Sequence, residues 1–234
     1  MLKKFYVYFN GIKDLDLGIL PKTRPNFPAL KKKYNEYTID GKDGSEYEFV
    51  GYEDRILTIE YNFLDRENIH NKVRKITRWL NNIQDNKLSL GDDPDYFYKV
   101  KKIEYDDIER KFKRIGRFKV TFTLSPFSYQ FSTNEKIEIS NNSKIYNDGD
   151  FKSYPIFEIE GNGYIKLWVN DNLLELNISD SVTVDSEKEL CFKNKIIEKA
   201  IEKGDFPTLE IGINNIRFEG NVSKIFINPN CMYY

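Results

Sequence analysis

Alanine is almost missing from this chain: Ala29 and Ala200 are the only two in 234 residues. A sequence so short of the best helix former is not built mainly from helices. Histidine is as scarce, and imidazole acid–base chemistry has His70 as its single candidate. Cys191 and Cys231 are the only cysteines. That excludes a disulfide framework, and with one histidine they cannot complete a four-ligand structural zinc site within one chain. Neither charge is in excess, since Lys+Arg is 36 and Asp+Glu is 37, a net of −1. A protein that mainly grips nucleic acid or an acidic membrane needs a basic excess. The apolar stretch near the start, Phe5-Tyr6-Val7-Tyr8-Phe9, is stopped at once by Asn10-Gly11. It is too short for a bilayer span or a signal-peptide core, so cytoplasmic synthesis, no signal peptide and no membrane insertion are expected.

Catalytic signatures are missing as well. The chain has no G-x-x-x-x-G-K-[ST] phosphate loop and no G-x-S-x-G elbow. Carboxylate pairs such as Asp92/Asp93 and Asp106/Asp107 carry little specificity when 37 acids are present. Gly91-Asp92-Asp93-Pro94-Asp95 lacks the spacing and the distal Glu of a calcium loop and reads as turn chemistry. No catalytic, cofactor-binding or metal-binding residue is therefore assigned, and no enzyme is expected.

What the chain does hold is aromatic residues, at 15%, with 16 Tyr and 17 Phe. They bury large areas and suit strands, so the expectation is a mainly β protein with a substantial core. Its length allows one large domain or two ordinary ones. A strand is expected over residues 4–9, followed by an irregular arm from Gly11 to Leu30 broken by Gly18, Pro21, Pro25 and Pro28. Strands at 34–39 and 47–52 then flank Asp40, Gly41, Lys42, Asp43, Gly44 and Ser45, a loop rich in residues that tolerate positive φ. Leu57, Ile59, Tyr61 and Phe63 alternate with polar residues as a half-buried strand does. From 66 to 83, behind Asp65 as cap, Ile69, Val73, Ile76, Leu80 and Ile83 form one apolar stripe of a long helix. His70 lies beside that stripe and reads as an ordinary surface or boundary residue. Strands follow at 96–104 and 116–124.

Apolar alternation stops near Ser132-Thr133-Asn134, which places a domain boundary there and gives domains of 1–132 and 133–234. The second half reads as short strands separated by turns, the pattern of a β-sandwich. Gly161-Asn162-Gly163 is read as a hairpin turn, and Glu219-Gly220-Asn221 as another. Residues 194–203 are ambiguous, with Ile196, Ile197, Ala200 and Ile201 able to share a helical face. Tyr164 and Trp168 share one strand face with Lys166, an aromatic surface that would contact protein or sugar.

Taken in order, several segments resemble the distal tail protein family, the hub proteins of long non-contractile phage tails. They are Ile39 to Gly44 with Gly51 to Ile56, Arg78-Trp79-Leu80 with Leu88 to Tyr98, and Phe118 to Tyr129. In the second half they are Asn147 to Asp150 with Tyr154-Pro155, Gly161 to Asn170, Val182 to Glu187, and Gly204 to Asn214. The resemblance implies a β-sandwich-like ring-forming N-terminal domain with one long helix, then a C-terminal galectin-like β-sandwich. It implies a homohexameric ring between a tail-tube protein and a tail-tip or baseplate protein, with DNA passing through its channel unread. The location implied is the tail-tip region of a virion, or of a tail-like particle or prophage product. The contact residues expected for ring or inter-subunit packing are Asp40 to Ser45. The competing reading is a carbohydrate-binding tail protein that touches the host surface through the second sandwich, using Tyr164 and Trp168.

Overall fold

The computed structural model describes residues 5–65, 68–112 and 114–234, with side chains at 110–112 left aside. Residue contacts divide the chain into two compact units, Met1–Ser128 and Tyr129–Tyr234. The elements in chain order are β1 (Val7–Phe9), β2 (Ile12–Lys13), a 3-10 turn (Asp14–Leu17), β3 (Ile19–Pro21), β4 (Lys32–Thr38), β5 (Ser45–Tyr52) and β6 (Arg55–Leu64). Then come α1 (Ile69–Asn81), β7 (Lys87–Leu90), β8 (Asp93–Tyr105), β9 (Glu109–Phe112) and β10 (Ile115–Gln130). The second unit holds β11 (Ile137–Glu138), β12 (Ser143–Asn147), β13 (Ile156–Val169), β14 (Asn172–Asp185), β15 (Leu190–Lys193), β16 (Ile196–Ile197), β17 (Ile201–Lys203) and β18 (Gly212–Asn228). Mainly β with one helix is the fold class the composition called for.

The first unit is a sheet in the order β2-β1-β7-β8-β10-β6-β3, with β9 beside β10. Its centre follows from alternation in register. Leu57, Ile59 and Tyr61 of β6 stand opposite Phe122, Val120 and Phe118 of β10, and all six are buried. Tyr61 and Phe118 stack with ring centres 5.2 Å apart. Helix α1 closes this core with Ile69, Ile76, Trp79 and Leu80. Trp79 Nε1 donates to Phe9 O at 2.9 Å, giving the buried indole the partner it needs. Asn10 and Gly11, at φ 51° and 74°, turn β1 into β2. The Asn10 amide then donates to Trp79 O and Asn82 O, both at 2.9 Å, satisfying carbonyls the helix end leaves open.

Two expectations for this unit change. The helix runs from Ile69 to Asn81, and its cap is Asn68, whose Oδ1 accepts from His70 N and Asn71 N. Asp65 instead accepts from Asn68 N at 2.9 Å, one step upstream, and residues 66 and 67 lie outside the described residues. The arm expected from Gly11 to Leu30 is half folded into the unit. The 3-10 turn ends at Gly18 in the left-handed region, β3 pairs with β6, and Ile19 is fully buried. Its glycine and proline breaks shorten the elements without preventing them.

The second unit is a sheet in the order β11-β18-β13-β14-β15-β16, with β12 on β18 and β17 on β14. Its three central strands are 14 to 17 residues long. The sheet can wrap one core, including Phe157, Ile165, Leu176, Val184 and Ile227, because those strands bend. Here a sequence expectation is overturned. Gly161-Asn162-Gly163 and Glu219-Gly220-Asn221 are mid-strand, at register shifts where β13 and β18 face each other. A Cβ on Gly161 would lie 2.3 Å from Asn221 O, and Gly220 takes φ 112°. Next door on β14, Asp180 takes φ 74°, and its N–H donates to Asn162 Oδ1 at 3.0 Å. Glycine bends and bulges in register on adjacent strands curl a sheet instead of ending its strands. Residues 194–203 are not helical: Asn194 and Lys195, at φ 50° and 67°, form a two-residue turn into β16.

The C-terminal tail packs onto the same unit. Met232 bridges to Phe151, Tyr233 Oη donates to Asp148 Oδ1 at 2.7 Å, and Tyr234 N donates to Asp150 Oδ2 at 3.0 Å. Tyr233 also reaches Thr133 Oγ1 at 3.3 Å, inside the stretch read from sequence as a linker.

Candidate functional site

Among the described residues, strands β4 and β5 pair only with each other. Every residue of β4 is exposed, as are residues 39–44 of the connecting loop. Gly41 and Gly44 take φ 82° and 83°, which explains their place in the loop. Lys42 N donates to Ile39 O at 3.1 Å, and Lys42 pairs with Glu46 four residues on. The loop residues Asp40 to Ser45 thus stand together at the tip of a free ribbon.

Register sorts the ribbon into two faces. Tyr34 faces Phe49, Glu36 faces Tyr47, and Thr38 faces Ser45 on one side, with Asn35, Tyr37, Glu46, Glu48 and Val50 on the other. On the first side an edge-to-face aromatic row runs from Tyr47 through Tyr34, Phe49 and Tyr52 to Phe127, with ring centres 5.3–6.4 Å apart. Tyr47, Tyr34 and Phe49 remain 63%, 48% and 49% exposed. Hydrogen bonds from Ser45 and Tyr47 hold the Glu36 carboxyl below its ordinary range, so it stays charged on this face. The ribbon base is anchored. Arg55 is buried, and its guanidinium donates to Pro28 O and Pro126 O and lies over the Tyr98 ring.

A two-stranded ribbon buries too little to be stable alone in water, and a contiguous exposed aromatic patch marks a contact surface. The sequence reading placed a loop between these two strands and missed the row of rings. Alternation in Tyr47-Glu48-Phe49-Val50 looks the same whether a strand meets its own core or another chain.

Tyr164 and Trp168 do share a face of β13. Trp168 is half-buried and covered on one side by Arg217, whose guanidinium carbon lies 4.1 Å from the ring centre. Tyr164 is exposed and its hydroxyl donates to Glu175. His70 is exposed at the start of α1. Among the described residues no group of three or more His, Cys, Asp or Glu is placed to hold a metal ion. Cys191 and Cys231 are buried free thiols, both pushed up to about 11 chiefly by burial.

Residues 10–124 match the family model described as a phage tail protein RIFT-related domain. Over those residues the chain is similar to that family of phage tail proteins. Solved structures agree on the fold over the whole length. The Dit protein of phage SPP1, titled a paradigm of the hub adsorption apparatus in phages infecting Gram-positive hosts, aligns with a TM-score of 0.66 at 13% identity. That alignment covers 97% of this chain and 99% of the Dit chain. A chain of the phage P2 baseplate, activated with Ca, aligns at 0.53 with 9% identity and 97% of each chain covered. The same baseplate activated with Sr gives 0.52 at 9% identity, covering 96% of each. No curated protein sequence matches significantly. The chain thus carries a phage-tail domain and shares the fold of a distal tail protein, and no helix among its described residues is long and apolar enough to cross a membrane.

Proposed function

We propose that copies of this chain close into a ring, six to a turn, that joins the tail tube on one side to the tail tip or baseplate on the other. DNA passes through the central channel without sequence reading, in keeping with the net charge of −1. The observation that carries this reading is the β4–β5 ribbon, a sheet with no partner strand and an aromatic face left in solvent. A neighbouring copy supplies the missing cover, with Asp40 to Ser45 leading the contact. Head-to-tail contacts of this kind generate closed rings when the rotation closes. Each contact should bury on the order of 1,000 Å² or more to hold without covalent links.

The test is native mass spectrometry of the intact chain across protein concentrations, beside the variant Y34S/Y47S/F49S. Rings from the parent and monomers from the variant support the reading. A variant that assembles as well as the parent removes the ribbon from the contact. The carbohydrate reading has less behind it, because one face of Trp168, which sugar stacking would use, is taken by Arg217.

A further inference from the structure

We propose that the outer face of α1 is a docking surface for the β7–β8 turn of a second copy of this chain. The inference rests on the ring reading above and names a second contact within it.

Helix α1 carries His70, Lys72, Arg74, Lys75 and Arg78 and not one acid between Ile69 and Asn81. Arg74, Lys75 and Arg78 are exposed, and among the described residues none of them has an ion-pair partner. Arg74 donates a hydrogen bond to Asn71 Oδ1, at 3.0 Å. Other cations of the same unit are paired, Lys22 with Glu60 at 3.0 Å and Lys101 with Asp54 at 2.6 Å. A shallow groove of about 330 Å³ runs along this face, lined by Asn68, Asn71, Lys72, Arg74, Lys75 and Arg78, with Asp65 the one acid against four cations.

The opposite imbalance sits at the β7–β8 turn. Asp92, Asp93 and Asp95 crowd into four positions, and the one ion pair there among the described residues is Arg24 with Asp92, at 3.6 Å. Burial, and then the two neighbouring carboxylates, push Asp93 up. The turn and the helix end are held at opposite ends of β1: Gly91 N donates to Tyr6 O at 2.8 Å, and Asn10 holds Trp79 O. The three residues of β1 lie between those anchors, four steps or roughly 13 Å at 3.3 Å per residue. No described ion pair links them, so neither patch neutralises the other within one copy. A head-to-tail ring needs two different patches that fit each other, and complementary charge fixes their register and excludes the reversed contact.

The experiment compares the intact parent with R74E/R78E, D92K/D93K and the variant carrying all four changes, by sedimentation velocity over a concentration series. Circular dichroism confirms that each is folded. Each paired reversal is expected to raise the concentration needed for assembly by roughly tenfold or more, and the four-fold variant to recover most of it. Reversal variants that assemble like the parent would overturn the proposal and leave the ring reading intact. A parent that never assembles, alone or on tail tubes, would defeat the ring reading and this contact with it. Salt-sensitive binding of a short DNA duplex, lost in R74E/R78E, would reassign the face to nucleic acid and overturn the proposal. Should a reversal variant fail to fold, R78C/D92C answers the same question with a bifunctional thiol cross-linker, since Cys191 and Cys231 are buried. A ladder of multimers from the double variant, missing from either single one, is expected; single chains alone from assembled material would overturn the proposal.

Discussion

The chain contains two antiparallel ribbons with opposite fates. Strands β13 and β14 pair over fourteen residue pairs, and β18, β15 and β17 extend the sheet beside them. Strands β4 and β5 pair over seven, and no other strand among the described residues extends them. Both alternate aromatic or branched apolar residues with polar ones, so their local chemistry is alike. In the first, Phe157, Ile159, Ile165 and Leu167 are buried. In the second, Tyr34, Tyr47 and Phe49 remain in solvent. Alternation therefore specifies a strand and its faces, but not what covers them. In this molecule one ribbon is completed by its own chain, and the other, on our reading, by the next copy.

The widest separation between the ribbons should come from matched truncations. Phe157→Ala opens a cavity in a core and is expected to cost about 3–5 kcal/mol of stability. Phe49→Ala should change the stability of the isolated chain by about 0.5 kcal/mol or less while weakening assembly. Thermal unfolding beside native mass reads both, and a large stability loss at Phe49 would mean that the ribbon belongs to a core of its own chain.

Glycine substitutions repeat the contrast on the backbone. Gly161→Val drives a side chain into Asn221 O at the sheet bend and should destabilise the second unit by about 3 kcal/mol. Gly41→Ala has open space around it and bears only the left-handed conformation, about 1–2 kcal/mol at the loop. Hydrogen exchange along β13 and along β4 separates the two effects.

The boundary between units offers a sharper cut. Tyr129 is 1% exposed, and burial, then Glu187, push its phenol up, which places its environment in the second unit. We propose that the second unit folds alone. The fragment 129–234 should then show β-type circular dichroism and be more stable than 133–234 by about 3–5 kcal/mol, the scale of losing one buried aromatic. Equal stabilities would show that Tyr129 contributes nothing there.

A smaller effect concerns the first unit alone. Asp14 is fully buried, and desolvation pushes its carboxyl up to about 7. Because the folded value exceeds the unfolded one, the folded state holds the extra proton. The stabilisation is complete below about pH 4 and is lost as pH rises towards 7. Unfolding of the first unit should show that slope, and Asp14→Asn should flatten it. A stability that rises over this window would refute the assignment.

Much of this was legible in the residues. The β6 alternation at Leu57, Ile59, Tyr61 and Phe63 stands in the structure as read, and so does the α1 stripe at Ile69, Val73, Ile76 and Leu80, whereas Ile83 falls beyond the helix and is exposed. The errors share a cause. Gly161-Asn162-Gly163 interrupts apolar alternation whether the strand stops or merely bends, since both geometries need the same small, flexible residues. Asn194 and Lys195 hide a two-residue turn because lysine gives no positive-φ signal. Residues 12–21 looked too broken to fold, yet Ile19 finds β6 through a contact no local pattern announces. The proposed contact surface was half legible: its loop carries turn residues, while its aromatic row is recognisable only once Tyr34, Tyr47 and Phe49 are seen uncovered.

Electron microscopy of assembled tail particles tests the central claim most directly. The account predicts that copies of this chain encircle an axial channel at the end of the tail tube, each β4–β5 ribbon lying against the neighbouring copy. Particles in which this chain surrounds no channel, or in which every ribbon projects into solvent, would contradict it.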